Sequence, residues 1–463
     1  MSATLLTANT VLERLGPFLT DLQVLFKAPC SLEELSRINS GVYYGYSQVG
    51  KCFTIYPATD DDSVALAARI HELLRSIPGP TVPFDSRYSL DSPVFYRYGA
   101  FKPQRLAVEN GALAKAIRDP SGNLVVDHRD GPAPAWVSNP FPVNSTDNER
   151  QTPETNFRIV SALNQRGKGG VYLGIHFAEP APRLCILKEG RQFGEIAFDG
   201  RDGRWRTRKE RKALVSLFRH GVRVPEVLSF FKANADYYLA IEYIEGQTLE
   251  KFLKRRKRRL PLIQALAFIR QIATVLAGIH SAGWVWRDCK PANLIIAAGR
   301  ELRPVDFEGA CRIGDRNPIG WGTQQYVPGP MRQGGSVAHP SVDLYALGVI
   351  VYYLIAGRFP DERNTVPLQS LRRNIPVEIQ TLISQMLSGD SQTCPTASEV
   401  VQRLTLLQKS EQSANGAEAR GKRAAERHGA EYDSQGQTRS AAPTARNMTA
   451  RGKREAQRQR RGI

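Results

Sequence analysis

The hydrophobic period of the chain changes once, near residue 245, and that change limits what its central half can become. Upstream, apolar and polar residues alternate in "NFRIVSAL" at 156–163, "GGVYLGIHF" at 169–177 and "PRLCILKEG" at 182–190, and further strands are expected at 225–231 and 237–243. One helix interrupts them, "TRKERKALVSLF" at 207–218, with Leu214, Leu217 and Phe218 on its apolar side. Downstream the period is helical, notably over 262–282, 341–356 and 377–388. Strands first and helices second, joined by a short connection near "EYIEGQTL", describe two lobes around a cleft. The run "LYALGVIVYYLIAG" at 344–357 is too short to span a bilayer and is expected as a buried helix.

Polar residues interrupt "GWVWRDCKPANLII" at 283–296, where Asp288, Lys290 and Asn293 stand among apolar neighbours. Their desolvation requires partners or a ligand. Extended "NLII" follows, and "PVDFEG" places Asp306 at the end of another extended segment. Two antiparallel strands would bring Asn293 and Asp306 together, an acid and an amide oxygen suited to Mg²⁺. Asp288 is then free to orient an attacking hydroxyl and accept its proton, and Lys290 to neutralise phosphoryl oxygens. Lys188 closes a strand and Glu210 lies on the next helix, which fixes an ammonium for phosphates. Together these groups describe a phosphoryl-transfer site, in which positioning and electrostatics carry most of the catalysis.

On these residues the chain resembles the eukaryotic-like protein kinase family over about 155–405. "CILK" is similar to the strand-three lysine motif, "WRDCKPAN" to the catalytic loop, and "DFEG" to the family's Asp-Phe-Gly. "GTQQYVPGP" at 322–330 resembles the segment that positions substrate, and "SVDLYALGVIVYYLIAGRFP" the buried helix whose Asp343 braces the catalytic loop. The resemblance implies Asp288 as catalytic base, with Lys290 and Lys188 as phosphate contacts. It implies a nucleotide site of Gly169, Val171, Lys188, Glu210, Glu242, Asn293 and Asp306, in which Asn293 and Asp306 hold the metal. ATP and Mg²⁺ are the implied cofactors. Several positions depart from the family. Asn164 and Arg166 stand where the first two loop glycines are expected, Trp286 replaces a histidine, and Glu308 replaces a glycine. Gly329 and Cys394 replace a glutamate and an arginine that commonly pair.

Residues 130–153, rich in Pro and polar residues, mark a boundary. The expected division is an N-terminal domain over 1–129, a linker over 130–153, a kinase-like domain over 154–408 and a disordered basic tail over 409–463. The fold class expected is α+β: a bilobal domain preceded by a smaller α+β domain. Net charge is +18, and the tail alone holds 13 Lys/Arg against 6 Asp/Glu. A second basic run, "KRRKRR" at 254–259, offers a dock for an acidic leader peptide, or is a solvated face. No recognition helix, RNA-binding sheet motif or zinc finger accompanies these charges, so nucleic acid is not the expected partner. Cysteines at 30, 52, 185, 289, 311 and 394 form no CxxC pair, which fits a reducing cytoplasm without zinc.

In the N-terminal domain aromatics interleave with Lys51, Arg87, Arg97 and Lys102. They form a surface for an anionic ligand, or basic stems that cover the aromatics. "GKCFTIYP" at 50–57 and "FYRYGAF" at 95–101 resemble the N-terminal region of class III lanthionine synthetases. That resemblance implies a lyase domain ahead of the kinase, which together dehydrate Ser or Thr of a precursor peptide. No histidine precedes His71, so either the true start lies upstream or the acid/base group is lost. Lys27 in "LFKAPC" and Lys51 remain as replacements. Residues 409–463 are too few for a cyclase domain, and ring formation is expected to need a separate protein. Three functions therefore stand: a Ser/Thr protein kinase acting on a protein or peptide, a bifunctional kinase and phospholyase, and a pseudokinase scaffold.

Overall fold

The computed structural model describes residues 1–100, 102, 104–109, 111–128, 133–141, 156–177, 180–256, 259–332, 337–361, 366–373 and 375–407. The expected tail at 409–463, residues 257 and 258 of the basic run, and most of the 130–153 stretch lie outside the described residues. Met1–Gln402 form one compact unit.

The chain opens with α1 (Ala8–Asp21), β1 (Leu25–Lys27), α2 (Leu32–Ser40), β2 (Thr54–Tyr56) and α3 (Asp60–Leu74). Val11, Leu15 and Leu19 on α1 and Leu66, Ile70 and Leu74 on α3 recur every fourth residue or so, which puts each set on one face. Both faces are buried in one core with Phe53. Ser31 caps α2 by accepting from Glu34 N at 3.1 Å. β1 pairs antiparallel with β2, placing Leu25 opposite Tyr56. Short hairpins follow: β3 (Ser86–Arg87) with β4 (Phe95–Tyr96), then β5 (Arg105–Ala107), β6 (Leu113–Arg118) and β7 (Leu124–Val126). Phe141, inside the stretch expected as a linker, stacks on Tyr96 with ring centroids 3.8 Å apart.

The first lobe is a five-stranded antiparallel sheet in the order β11-β12-β10-β9-β8. Its strands are β8 (Phe157–Arg166), β9 (Gly169–His176), β10 (Arg183–Gly190), β11 (Val227–Ala233) and β12 (Asp236–Glu242). Between β10 and β11, α4 (Gly203–Arg219) packs on β10 and β12 through Glu210, Ala213, Leu214 and Leu217. Its first turn is capped by Asp202, which accepts from Trp205 N at 3.1 Å. Phe218, expected on the apolar side, is 55% exposed, because one residue of helical rotation turns it away from Leu217.

The second lobe runs through β13 (Gln247–Thr248), α5 (Leu249–Lys254), α6 (Leu262–Ser281), β14 (Trp284–Val285), β15 (Leu294–Ile296), β16 (Leu302–Pro304) and β17 (Cys311–Arg312). It ends with α7 (Gly329–Arg332), α8 (Ser341–Ala356), α9 (Leu368–Leu371) and α10 (Val377–Leu387). Every residue of α8 except Tyr353 is buried, between α6 and α10. Burying each Leu, Ile or Val contributes about 1.5–3 kcal/mol, so this helix anchors the lobe. Among the described residues, α6 alone is long and apolar enough to cross a membrane by length and composition. In this fold its Ala265, Ile269, Ile272 and Leu276 stripe is buried.

The end of α2 meets the turn between β8 and β9. Gly167 N donates to Ser40 O at 3.1 Å, and a Cβ on Gly167 would lie 1.7 Å from Asn39 O. The Arg191 guanidinium sits over the Tyr46 ring at 4.8 Å. Gly167→Ala is therefore expected to cost about 1–3 kcal/mol, because backbone has to move to admit the methyl. The check is the melting transition of the full chain; an unchanged Tm would show that the contact yields freely.

Candidate active site

Asp288 sits in a turn between β14 and β15, and three side chains define its surroundings. Thr323 Oγ1 donates to its Oδ1 at 3.0 Å, and Lys290 Nζ donates to its Oδ2 at 2.8 Å. Lys290 also reaches Thr323 Oγ1 at 2.8 Å. Asn293 Nδ2 donates to Asp288 Oδ2 at 2.8 Å and to Asp288 O at 3.0 Å. The Asn293 amide nitrogen is thus committed to Asp288, and its oxygen is the atom left for a ligand. Thr323 was not singled out in the sequence, although "GTQQYVPGP" contains it.

The loop is braced from below by Asp343, which is fully buried at the start of α8. Its carboxylate accepts from Trp286 N at 2.8 Å and from Arg287 N at 2.6 Å. His280 Nε2 lies 2.9 Å from the same carboxylate. Trp286, in place of a histidine, stacks on Phe307 and donates its indole N–H to Asp306 O at 2.9 Å. Arg287 and Asp306 both have left-handed backbone, with φ of 69° and 64°. Such strain costs about 1–3 kcal/mol per residue and persists only where surroundings over-determine it. Here Arg287 is tied through Asp343, and its Nη2 donates to Ile319 O at 2.6 Å.

β15 and β16 form the expected hairpin. Leu294 pairs with Pro304, and Val305 N donates to Asn293 O at 2.9 Å, so Asn293 and Asp306 emerge side by side. From the other lobe, Lys188 Nζ contacts Glu210 Oε1 at 2.6 Å and Asp306 Oδ1 at 2.8 Å. Glu210 Oε1 also accepts from Phe307 N at 3.0 Å. Burial works against the Lys188 ammonium, but Asp306 and Glu210 together hold its pKa above the usual lysine value. Burial likewise opposes the Asp306 carboxylate, and Lys188 with Lys168 brings its pKa down to about 2. Sequence reasoning thus placed Lys188, Glu210, Asp288, Lys290, Asn293 and Asp306 as candidates, and the fold gathers them in one cleft.

The other expected residues lie on the sheet that carries Lys188. Val171 pairs with Lys188 across β9 and β10. Gly169 has φ of 149°, and a Cβ there would meet Glu189 O at 1.8 Å, so glycine is required. Glu242 closes β12 with its Oε2 turned to Arg303 Nη2 at 3.0 Å and Glu226 N at 3.2 Å. One closure was not foreseen. Lys168, at the β8–β9 turn, pairs with Glu308, the residue that stands for a glycine. Arg206 Nη1 lies 3.8 Å from Glu308, and Trp321 packs between Lys168 at 4.9 Å and Arg206 at 5.6 Å. Glu308, which departs from the kinase pattern, is therefore held by cations of the first lobe.

The donor set fits Mg²⁺. A hard divalent cation takes carboxylate and amide oxygens and completes its shell with phosphate and water oxygens. Asp306 and the Asn293 oxygen would supply the protein share. Among the described residues, no group of three or more His, Cys, Asp or Glu is arranged to hold a metal.

In the N-terminal domain, Lys51 Nζ pairs with Asp85 at 3.0 Å, and Arg97 lies 3.7 Å from Asp85 and 3.3 Å from Asp127. Lys27 is apart from this chain of charges, over the Tyr56 ring at 5.9 Å. Arg87 covers the Phe95 ring at 4.6 Å.

Comparison with known families agrees with this geometry. Residues 201–405 match the protein kinase domain, and residues 1–153 match the RamC N-terminal domain. The chain carries a protein kinase domain behind a RamC-type N-terminal domain. The kinase match begins after β10, so Gly169, Val171 and Lys188 join the site through tertiary structure. A probable SapB synthase of Streptomyces coelicolor is 30% identical over 76% of this chain and 38% of its own length. The Ser/Thr protein kinase PknA of Nostoc is 29% identical over 47% of this chain and 40% of its own. PknL of Mycobacterium tuberculosis is 28% identical over 48% of this chain and 55% of its own. The chain thus spans about two-fifths of the length of the first two.

Proposed function

We propose that this kinase domain transfers the terminal phosphoryl group of ATP to a Ser or Thr hydroxyl of a peptide. The observation that carries the reading is the convergence of Asp288, with its Thr323, Lys290 and Asn293 partners, on the cleft that holds Lys188, Glu210 and Asp306. In this reading Asp288 aligns the acceptor hydroxyl and takes its proton. The hydroxyl oxygen forms the new bond to phosphorus, the bond to the bridging oxygen breaks, and ADP leaves. Lys188, steadied by Glu210, orients the nucleotide phosphates, and Lys290 balances charge beside the acceptor. Asp306 and Asn293 would hold Mg²⁺, which supplies charge neutralisation at the phosphates. Six free cysteines are compatible with a cytoplasmic site of action. The domain division we propose remains 1–129, 130–153, 154–408 and 409–463.

A second reading adds a lyase step, in which the N-terminal domain removes phosphate to leave a dehydroamino acid. The RamC-type match and the Lys51–Asp85–Arg97–Asp127 chain of charges favour it. A base takes the α-proton, the carbon–oxygen bond breaks, and a cation receives the phosphate. Incubation with Mg-ATP and Ser-containing peptides separates the readings by intact mass. Gain of about 80 Da per site is expected for phosphorylation, and net loss of about 18 Da for dehydration. Excess EDTA is expected to abolish either change. No mass change with any peptide, together with no nucleotide binding, would leave only a scaffold.

A further inference from the structure

The outward face of α4 bears a groove of about 620 Å³. Arg211, Lys212, Arg219 and Arg312 surround it, with Val215 and Trp284 as its apolar lining. Residues 212, 215 and 219 recur three and four apart, so they share one helix face. The remaining cations of α4 have partners. Arg204 pairs with Asp202, Arg206 with Glu308, Arg208 donates to Tyr237 Oη, and Lys209 lies over the Trp205 ring at 5.1 Å. Among the described residues, no carboxylate pairs with any of the four groove cations. Arg211 lies only over the Phe230 ring at 5.1 Å. Arg312 lies over Trp284 at 4.4 Å and donates to Ala282 O at 3.1 Å. Lys212 and Arg219 are exposed.

Four like charges gathered without counter-charge repel one another, and an anionic occupant removes that repulsion. From 211 to 219 the helix rises roughly 12 Å, so the charges extend along a segment. A lone phosphate reaches one or two of them, whereas a run of acidic side chains meets them all. The lining argues against nucleic acid. Trp284 is 5% exposed, its indole N–H is fixed to Ser216 Oγ at 3.0 Å, and Arg312 covers its ring. The Trp284 face is thus closed to a base, and the other ring in the lining, His220, has its Nδ1 2.7 Å from Ser216 O. Val215 gives instead a small apolar footing suited to an aliphatic side chain.

The geometry points to this groove as a docking site for an acidic segment of the peptide substrate, apart from the residue that is modified. This rests on the kinase reading above for the identity of the occupant. Docking here acts on the helix whose opposite face holds Glu210 against Lys188, so substrate recognition and the catalytic cleft share one rigid element.

The test is fluorescence anisotropy with the full chain and a fluorescein-labelled peptide bearing a run of Glu around one Leu. It needs no turnover, so it is independent of whether phosphorylation occurs. Binding is expected to weaken with salt and to be lost in the peptide with Gln for Glu. R211E/K212E/R219E is expected to weaken binding about tenfold or more, while R158E/K232E/R270E, with the same charge change at other exposed sites, stays within about twofold. Should the first triple variant fail to fold, R211Q/K212Q/R219Q serves, with a smaller loss in the same direction. Equal losses in both reversal variants would overturn the proposal, as would no binding by the wild type. So would tight binding of a charge-matched oligonucleotide with the same sensitivity to R211E/K212E/R219E.

Discussion

Asp288→Asn is expected to lower peptide phosphorylation about 10²–10⁴-fold while nucleotide affinity stays within about twofold. The substitution preserves shape and leaves an oxygen for the Thr323 hydroxyl, which now lies 3.0 Å from Oδ1. It removes the negative charge that Lys290 faces at 2.8 Å and the group that accepts the hydroxyl proton. The Asn293 Nδ2 donor at 2.8 Å would then oppose an amide N–H in one orientation, so the turn has reason to reorganise as well. Steady-state turnover against Mg-ATP titration separates loss of the base from loss of binding. Full turnover in this variant would remove Asp288 from the mechanism and reduce Lys290 and Thr323 to structural partners.

Asp343→Ala carries the largest expected stability effect, about 3–5 kcal/mol. Its buried carboxylate receives two backbone N–H groups, Trp286 N at 2.8 Å and Arg287 N at 2.6 Å, along with the His280 ring. Alanine would leave both N–H groups buried without the Asp343 acceptor and take one restraint from the strained Arg287 backbone. Urea unfolding followed by far-UV circular dichroism measures the loss. Asp343→Asn retains one acceptor oxygen and is expected to fall between the wild type and Asp343→Ala. A midpoint for Asp343→Ala equivalent to less than about 0.5 kcal/mol of destabilisation would show that Asp343 braces little. Phosphotransfer should fall with stability, because Arg287 is directly bonded in sequence to Asp288.

The strands and helices of the two lobes were legible because burial imposes a period. The expected 169–177 and 182–190 appear as Gly169–His176 and Arg183–Gly190, and 341–356 appears as Ser341–Ala356. Amphipathic detail at a helix end was less legible. Phe218 follows Leu217 directly, and only the final rotation of α4 against β10 and β12 puts one inside and the other in solvent. Of the site, the groups spaced closely in sequence could be read together. Asp288, Lys290 and Asn293 occupy one turn, and the β15–β16 hairpin carries Asp306 back beside them.

Pairs joined across the lobes had no such signal. Lys168 and Glu308 are separated by 140 positions; Glu308 looked like an isolated departure and Lys168 had no signal of its own until the fold set them against each other. Thr323 lay inside a quoted segment but gained meaning only from its bonds to Asp288 and Lys290. The contact of Gly167 with Ser40 and the bare cations of α4 were equally hidden, since both depend on which faces remain uncovered after packing. Alone, then, the sequence determined the order of elements, the two-lobed plan and the polar groups of each local turn, because these follow from short-range periodicity and chain connectivity. Tertiary structure alone decided which distant charges neutralise one another and which are left for a partner, because electrostatic pairing depends on distance in space and on burial, neither of which is written in residue order.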